Sequence, residues 1–208
     1  RKVRGTPPRH VQATMFHQLE VNKILALIAD AALLGRTTMV AIDGLTCAGK
    51  STLAGQVAGA LGDATVVSLD DFYRPAGAKE RAILGPRESY DRYFDWKRLL
   101  GDVLTPLSSQ SRARYRRHDW VNDRLAEWHE VVPRKVVVVE GVYSTRPELR
   151  PHFGVLVYVD APREVRLARL LARGYPDMSW ADHWMAGEDW YVKHVRPTLH
   201  VALVVDGS

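Results

Sequence analysis

Five short apolar runs punctuate the chain, at residues 39–42, 65–69, 136–139, 155–159 and 201–205. Each run is continuous and not alternating, the pattern of a strand covered on both faces, so together they predict a mostly parallel five-stranded sheet. Between them apolar positions recur at helical spacing. Ile24, Leu27, Ile28, Ala31 and Leu34 precede a stop at Gly35, and Leu53, Val57 and Leu61 precede Gly62. A third helix is expected over 162–174, with Arg166, Arg169 and Arg173 on a cationic face and Leu167, Leu170 and Leu171 on a core face. Strands alternating with helices make a doubly wound α/β fold with helices on both faces of the sheet. The stretch 73–133 carries no comparable run. Rich in aromatic and charged residues, it is expected to form helices and loops over the C-terminal edge of the sheet, an acceptor-side insertion, with a lid region at 162–196. Residues 1–10 contain Gly5, Pro7 and Pro8 and read as a poorly ordered basic tail before one domain over 11–208.

Composition narrows the function classes. A chain of 208 residues that is 46% hydrophobic can bury a continuous core. One cysteine excludes an internal disulfide framework and favours a reducing cytoplasm. No apolar run approaches the ~20 residues that span a bilayer, and no charged-then-apolar leader is present, so no membrane partner is expected. The net charge of +5 is concentrated at 1–9 and 112–117 without a long basic stripe interleaved with aromatics, so nucleic acid is not the expected partner. Eight histidines show no tight ligand spacing, and a protein-bound zinc or iron site is not expected. A homo-oligomer stays open. Of six tryptophans, Trp120 follows the basic cluster and is the stacking candidate.

The chemistry begins at Gly44-Leu45-Thr46-Cys47-Ala48-Gly49-Lys50-Ser51, which fits G-x-x-x-x-G-K-[ST] between an apolar strand and a helix. In that setting the amides of Gly44, Thr46, Cys47, Ala48, Gly49, Lys50, Ser51 and Thr52 surround the phosphates of ATP. Lys50 neutralises the β and γ oxygens, and the Ser51 hydroxyl binds Mg²⁺. Cys47 is a small filler. The second strand ends in Asp70-Asp71-Phe72-Tyr73, where a carboxylate opposite the γ-phosphate can accept the proton of an incoming hydroxyl. Asp70 is preferred as base because it directly follows the apolar run. The third ends in Glu140-Gly141, which places a second carboxylate at the same edge to hold Mg²⁺. Arg169 and Arg173 are expected to close over the transferring phosphoryl group. No Asn-Lys-x-Asp segment follows the fourth strand, which disfavours a GTPase.

These segments, with Tyr93-Phe94-Asp95-Trp96, Val159-Asp160 and Arg166-Leu167-Ala168-Arg169, resemble in order and spacing the uridine kinase and phosphoribulokinase branch of P-loop kinases across about 40–205. The resemblance implies a P-loop NTPase fold with a helical lid and ATP- and Mg²⁺-dependent phosphorylation of a small-molecule hydroxyl. It implies Asp70 as base, Tyr73 near the acceptor and Asp95 on ribose hydroxyls, with a uridine- or cytidine-type nucleoside as leading acceptor. Two departures bear on the acceptor. Tyr115-Arg116-Arg117-His118 stands where nucleoside-specific members carry Tyr-x-Phe and a histidine: Tyr115 and His118 remain acceptor candidates, and Arg116 and Arg117 favour an acceptor with a carboxylate or phosphate. Residues 175–180 lack the expected lid arginines. The alternatives are a pantothenate-like acid, a sugar or an amino alcohol as acceptor, a polynucleotide 5′-hydroxyl, or a nucleotide-binding regulatory protein without transfer activity.

Overall fold

The computed structural model describes residues 18–32, 36–174 and 179–208. In chain order the elements are α1 (Gln18–Ala31), β1 (Thr38–Gly44), α2 (Lys50–Leu61), β2 (Ala64–Ser68), and four short helices, α3 (Gly77–Ala82), α4 (Pro86–Arg92), α5 (Trp96–Leu99) and α6 (Thr105–Ser108). A hairpin follows, β3 (Ala113–Asp119) and β4 (Arg124–Val131). The chain then runs through β5 (Val136–Glu140), β6 (Val155–Asp160), α7 (Arg163–Ala172), α8 (Ser179–Val195) and β7 (Leu203–Asp206).

The five apolar runs are the five strands of one sheet, ordered β2-β5-β1-β6-β7 with every pairing parallel. Strand β5 shows why its valines are unbroken. Val136 and Val138 point into the core beneath α1 and α2, with Ile24, Ile28, Leu53 and Val57, whereas Val137 and Val139 point into the opposite core with Phe72, Phe94, Leu104 and Tyr143. Each fully buried Val or Leu there contributes about 1.5–3 kcal/mol over its exposed form. Register sets the functional edge: Ser68 and Ile42 lie level with Glu140, and Gly44 lies level with Val159.

The insertion differs from the expectation of helices and loops, because 113–131 is an antiparallel hairpin with a register shift between Arg116 and His118. Ala113, Tyr115 and His118 are buried, while Arg114 and Arg117 face outward. A strand with one wet face alternates, and the outward arginines make that alternation read as a basic cluster. Helix α7 also departs from a simple two-faced pattern: Arg166 is buried and Leu171 is exposed. The basic tail at 1–10, Leu34 with its stop at Gly35, and the lid positions 175–178 lie outside the described residues. Among the described residues no helix is long and apolar enough to cross a membrane.

Candidate active site

The loop after β1 is shaped by contacts that exclude side chains. Gly44 has φ 145°, and a Cβ there would stand 2.4 Å from the Val159 carbonyl oxygen, so β1 and β6 approach as only glycine allows. One residue earlier, fully buried Asp43 accepts the amides of Gly44 (2.7 Å), Tyr143 (3.0 Å) and Thr145 (3.0 Å). It also accepts the hydroxyls of Thr145 and Tyr191, each at 2.6 Å. This carboxylate ties the start of the loop to the turn after β5 and to α8. Sequence reasoning passed over it, although an acid inside an apolar run one position before a phosphate loop is a legible signal.

Loop and strand tips enclose a cavity of about 460 Å³, lined on one side by Thr46, Cys47, Gly49, Lys50, Ser51 and Thr52 at the N-terminus of α2. Lys50 is buried, with Nζ donating to the Leu45 carbonyl at 2.9 Å. Opposite, buried Glu140 accepts the Ser51 hydroxyl at 3.0 Å and the Ser68 hydroxyl at 2.7 Å. Gly141 lets this strand end pass under the next segment, since a Cβ there would lie 2.3 Å from Cβ of Leu69. Asp70 completes the wall on a short helical turn, Leu69–Phe72. Asp70 is exposed on the cavity wall, and the protein packed around its carboxyl followed by the Glu140 charge pushes its pKa up to about 6, with Lys50 opposing. Cys47 is buried, and burial pushes its thiol pKa up.

The remaining cavity wall is aromatic: Tyr73, Trp120 and Trp184, with Val142, Leu170 and Arg173. The Tyr73 ring lies 4.5 Å from Trp120 and 5.6 Å from Trp184. Asp71 faces the hairpin, accepting the Tyr115 hydroxyl at 2.8 Å and Arg117 Nε at 3.0 Å. Buried His118 packs edge-on to Tyr73 and Trp120, with Nε2 3.5 Å from Asp123, and burial holds its pKa down.

Of the sequence candidates, the fold therefore gathers Thr46, Cys47, Gly49, Lys50, Ser51, Thr52, Asp70, Tyr73, Glu140 and Arg173 into one cavity, and seats others elsewhere. Tyr115, Arg117 and His118 stand behind its lining. Arg116 spends its guanidinium on the hairpin carbonyls of Leu125 and Ala126. Asp95 also lies outside the lining and caps α5, accepting the Arg98 amide at 3.1 Å. Arg169 sits on the carbonyl side of the loop, donating to Gly207 O at 2.6 Å and Cys47 O at 3.3 Å. Arg166 is buried against Glu188 at 3.2 Å. Two residues on α8 were missed, Trp184 in the cavity lining and the fully buried Glu188 beside the loop. Trp184 donates Nε1 to Thr46 Oγ1 and to Glu188, one helical turn on.

The donor set fits a magnesium nucleotide. Lys50 and the α2 N-terminus line the cavity as groups that would neutralise phosphate oxygens, and Ser51 and Glu140 would offer Mg²⁺ hard oxygen ligands. Among the described residues no cluster of three or more His, Cys, Asp or Glu side chains could hold a metal ion.

A family model described as AAA domain matches residues 40–183, more than half of the chain. The chain belongs to the AAA domain family. Within it this protein is a P-loop kinase of the uridine kinase and phosphoribulokinase-like branch, a phosphotransferase acting on a hydroxyl group. The uridine kinase of Borrelia turicatae is 28% identical to it over 143 residues, 68% of each chain. The structure of a possible uridine kinase from Bacillus stearothermophilus superposes with a TM-score of 0.70 at 21% identity, covering 90% of this kinase and 98% of that chain. Phosphoribulokinase from Rhodobacter spheroides gives 0.59 at 14% identity, covering 82% and 70%. These two structures bear on the fold alone.

Proposed function

We propose that this kinase transfers the γ-phosphate of ATP to a hydroxyl of a small acceptor, with a uridine- or cytidine-type nucleoside as the leading acceptor. The observation that carries the reading is Asp70, a carboxyl with a pKa of about 6 at the wall shared by the phosphate loop and the aromatic side of the cavity. In this proposal Lys50 and the amides of Cys47, Gly49, Lys50, Ser51 and Thr52 bind the β and γ phosphates, whereas the expected amides of Gly44, Thr46 and Ala48 are held by Asp43, Glu188 and the Leu45 carbonyl. Mg²⁺, when bound, neutralises phosphate charge and is held by Ser51 with Glu140. Asp70 takes the proton of the acceptor hydroxyl, and Arg173 stabilises charge on the moving phosphoryl group. Tyr73, Trp120 and Trp184 pack against the acceptor and exclude water.

The nucleoside assignment draws on the names of the relatives. A second reading keeps the chemistry and changes the acceptor to a sugar, a pantothenate-like acid or an amino alcohol. It is favoured by Asp95 serving as a helix cap and by Tyr115 and Arg117 being engaged with Asp71. The test is ATP consumption with Mg²⁺ against uridine, cytidine, pantothenate, simple sugars and amino alcohols, with Asp70→Asn as the blank. Turnover of uridine or cytidine above that blank is expected. Turnover only of another compound sinks the nucleoside assignment, and no turnover by the parent above the Asp70→Asn blank sinks the transfer reading.

A further inference from the structure

Glu188 is fully buried on α8, between the phosphate loop and α7. Its Oε1 accepts the Thr46 amide at 2.7 Å and Trp184 Nε1 at 2.9 Å, and its Oε2 faces Arg166 Nη1 at 3.2 Å. Trp184 Nε1 also reaches Thr46 Oγ1 at 2.7 Å. The Trp184 ring in turn walls the cavity and stacks on Tyr93 at 5.0 Å with an 11° tilt. One carboxylate thus holds an amide of the loop and a wall of the acceptor side together. A bare buried carboxylate at a loop built for phosphates would be costly and would repel the ligand. Arg166, itself only 4% exposed, supplies the neutralising charge and is braced by the Ala161 carbonyl at 3.2 Å.

We propose that Glu188 is a positioning residue: it fixes the phosphate loop and Trp184 in the geometry that binds the nucleotide, and it is tolerated there because Arg166 neutralises it. The proposal rests on the loop binding ATP and is independent of which hydroxyl accepts phosphate. Its chemistry separates two properties of the side chain. Glutamine keeps an acceptor oxygen for Thr46 and Trp184 without the charge, and alanine keeps neither. Removing Arg166 alone leaves the charge without its partner, and removing both charges restores neutrality.

The experiment measures binding of ATP·Mg²⁺ by isothermal calorimetry to the full chain and to Glu188→Gln, Glu188→Ala, Arg166→Met and the double variant Arg166→Met/Glu188→Gln. Thermal unfolding and near-ultraviolet circular dichroism of the tryptophans follow each protein. We expect Glu188→Gln within about 3-fold of the parent Kd, and Glu188→Ala and Arg166→Met weaker by about 10-fold or more. The double variant should return to within about 3-fold of Glu188→Gln, since coupling between contacting residues commonly reaches this size. A purely structural role predicts that the double variant is worse than Arg166→Met in both stability and affinity, and that result overturns the proposal. So does a folded Glu188→Ala with parental Kd, a comparison that decides the matter even if Arg166→Met does not fold. A parent that fails to bind ATP·Mg²⁺ overturns this proposal and the kinase mechanism together. A parent that binds ATP but phosphorylates no acceptor overturns the transfer reading alone.

Discussion

Replacing Asp70 with asparagine should make the protein more stable and nearly inactive, and the two effects share one cause. Burial and the neighbouring Glu140 raise the carboxyl pKa from 3.8 to about 6. At 1.36 kcal/mol per pH unit, this places a ceiling of ~3 kcal/mol on the cost of ionising Asp70 in the folded protein. The group opens to solvent through the cavity, which screens its charge and brings the expected effect to about 1 kcal/mol. The sign follows from proton binding. Between pH 3.8 and about 6 the folded chain holds this proton more tightly than the unfolded chain, so the contribution of Asp70 to stability is lost as pH rises through about 6. Above that pH the ionised carboxylate is a net cost, and asparagine removes it. For a chain of this size ~1 kcal/mol corresponds to a Tm about 2–4 °C higher. The gain should appear at pH 8 and vanish as the pH falls below 3.8, where aspartate is protonated in both states. Activity should move the other way. A general base contributes roughly 10²–10⁴-fold, so kcat for the acceptor found by the screen should fall by at least about 10²-fold. The Kd for ATP·Mg²⁺ should stay within about 3-fold. In the parent, kcat/KM should rise with pH through about 6 and then level. Differential scanning fluorimetry at pH 8 and below pH 3.8, paired with ATP-consumption assays, tests both halves. Near-parental kcat in Asp70→Asn, or a Tm at pH 8 below that of the parent, refutes the reasoning.

Asp95→Ala removes a helix cap and should lower stability by about 1 kcal/mol while leaving the acceptor KM within about 2-fold, as read by urea unfolding and steady-state kinetics. A large rise in KM would return Asp95 to the acceptor site. Tyr115→Phe deletes the hydroxyl that Asp71 accepts, at a cost of about 1 kcal/mol, and its kinetic effect should fall on the acceptor and not on ATP. Gly141→Ala sets a methyl 2.3 Å from Leu69 Cβ at φ 152°, so it should destabilise by about 2 kcal/mol or more and misplace both Glu140 and Asp70, abolishing turnover in whatever fraction folds. Chelation with EDTA should stop ATP consumption, and added Mg²⁺ should restore it.

The five strands, their parallel pairing and the phosphate loop were legible in the chain itself because a doubly covered strand and a glycine-lysine loop are local patterns, readable within about ten residues. Asp70 and Glu140 were legible for the same reason, each ending a valine-rich run whose direction the fold class dictates. Tertiary structure decided what lies between distant segments. The sequence spacing put Arg166, Arg169 and Arg173 on one helix face, but Arg166 found a buried partner 22 residues on and Arg169 found carbonyls of the loop, leaving Arg173 at the cavity. Asp95 was spent on the nearest free amide, and Tyr115 and Arg117 on Asp71. The physical reason is competition for partners. A charged or hydroxyl side chain goes to the buried donor or acceptor that would otherwise stand unpaired, and which one that is depends on packing across the whole molecule.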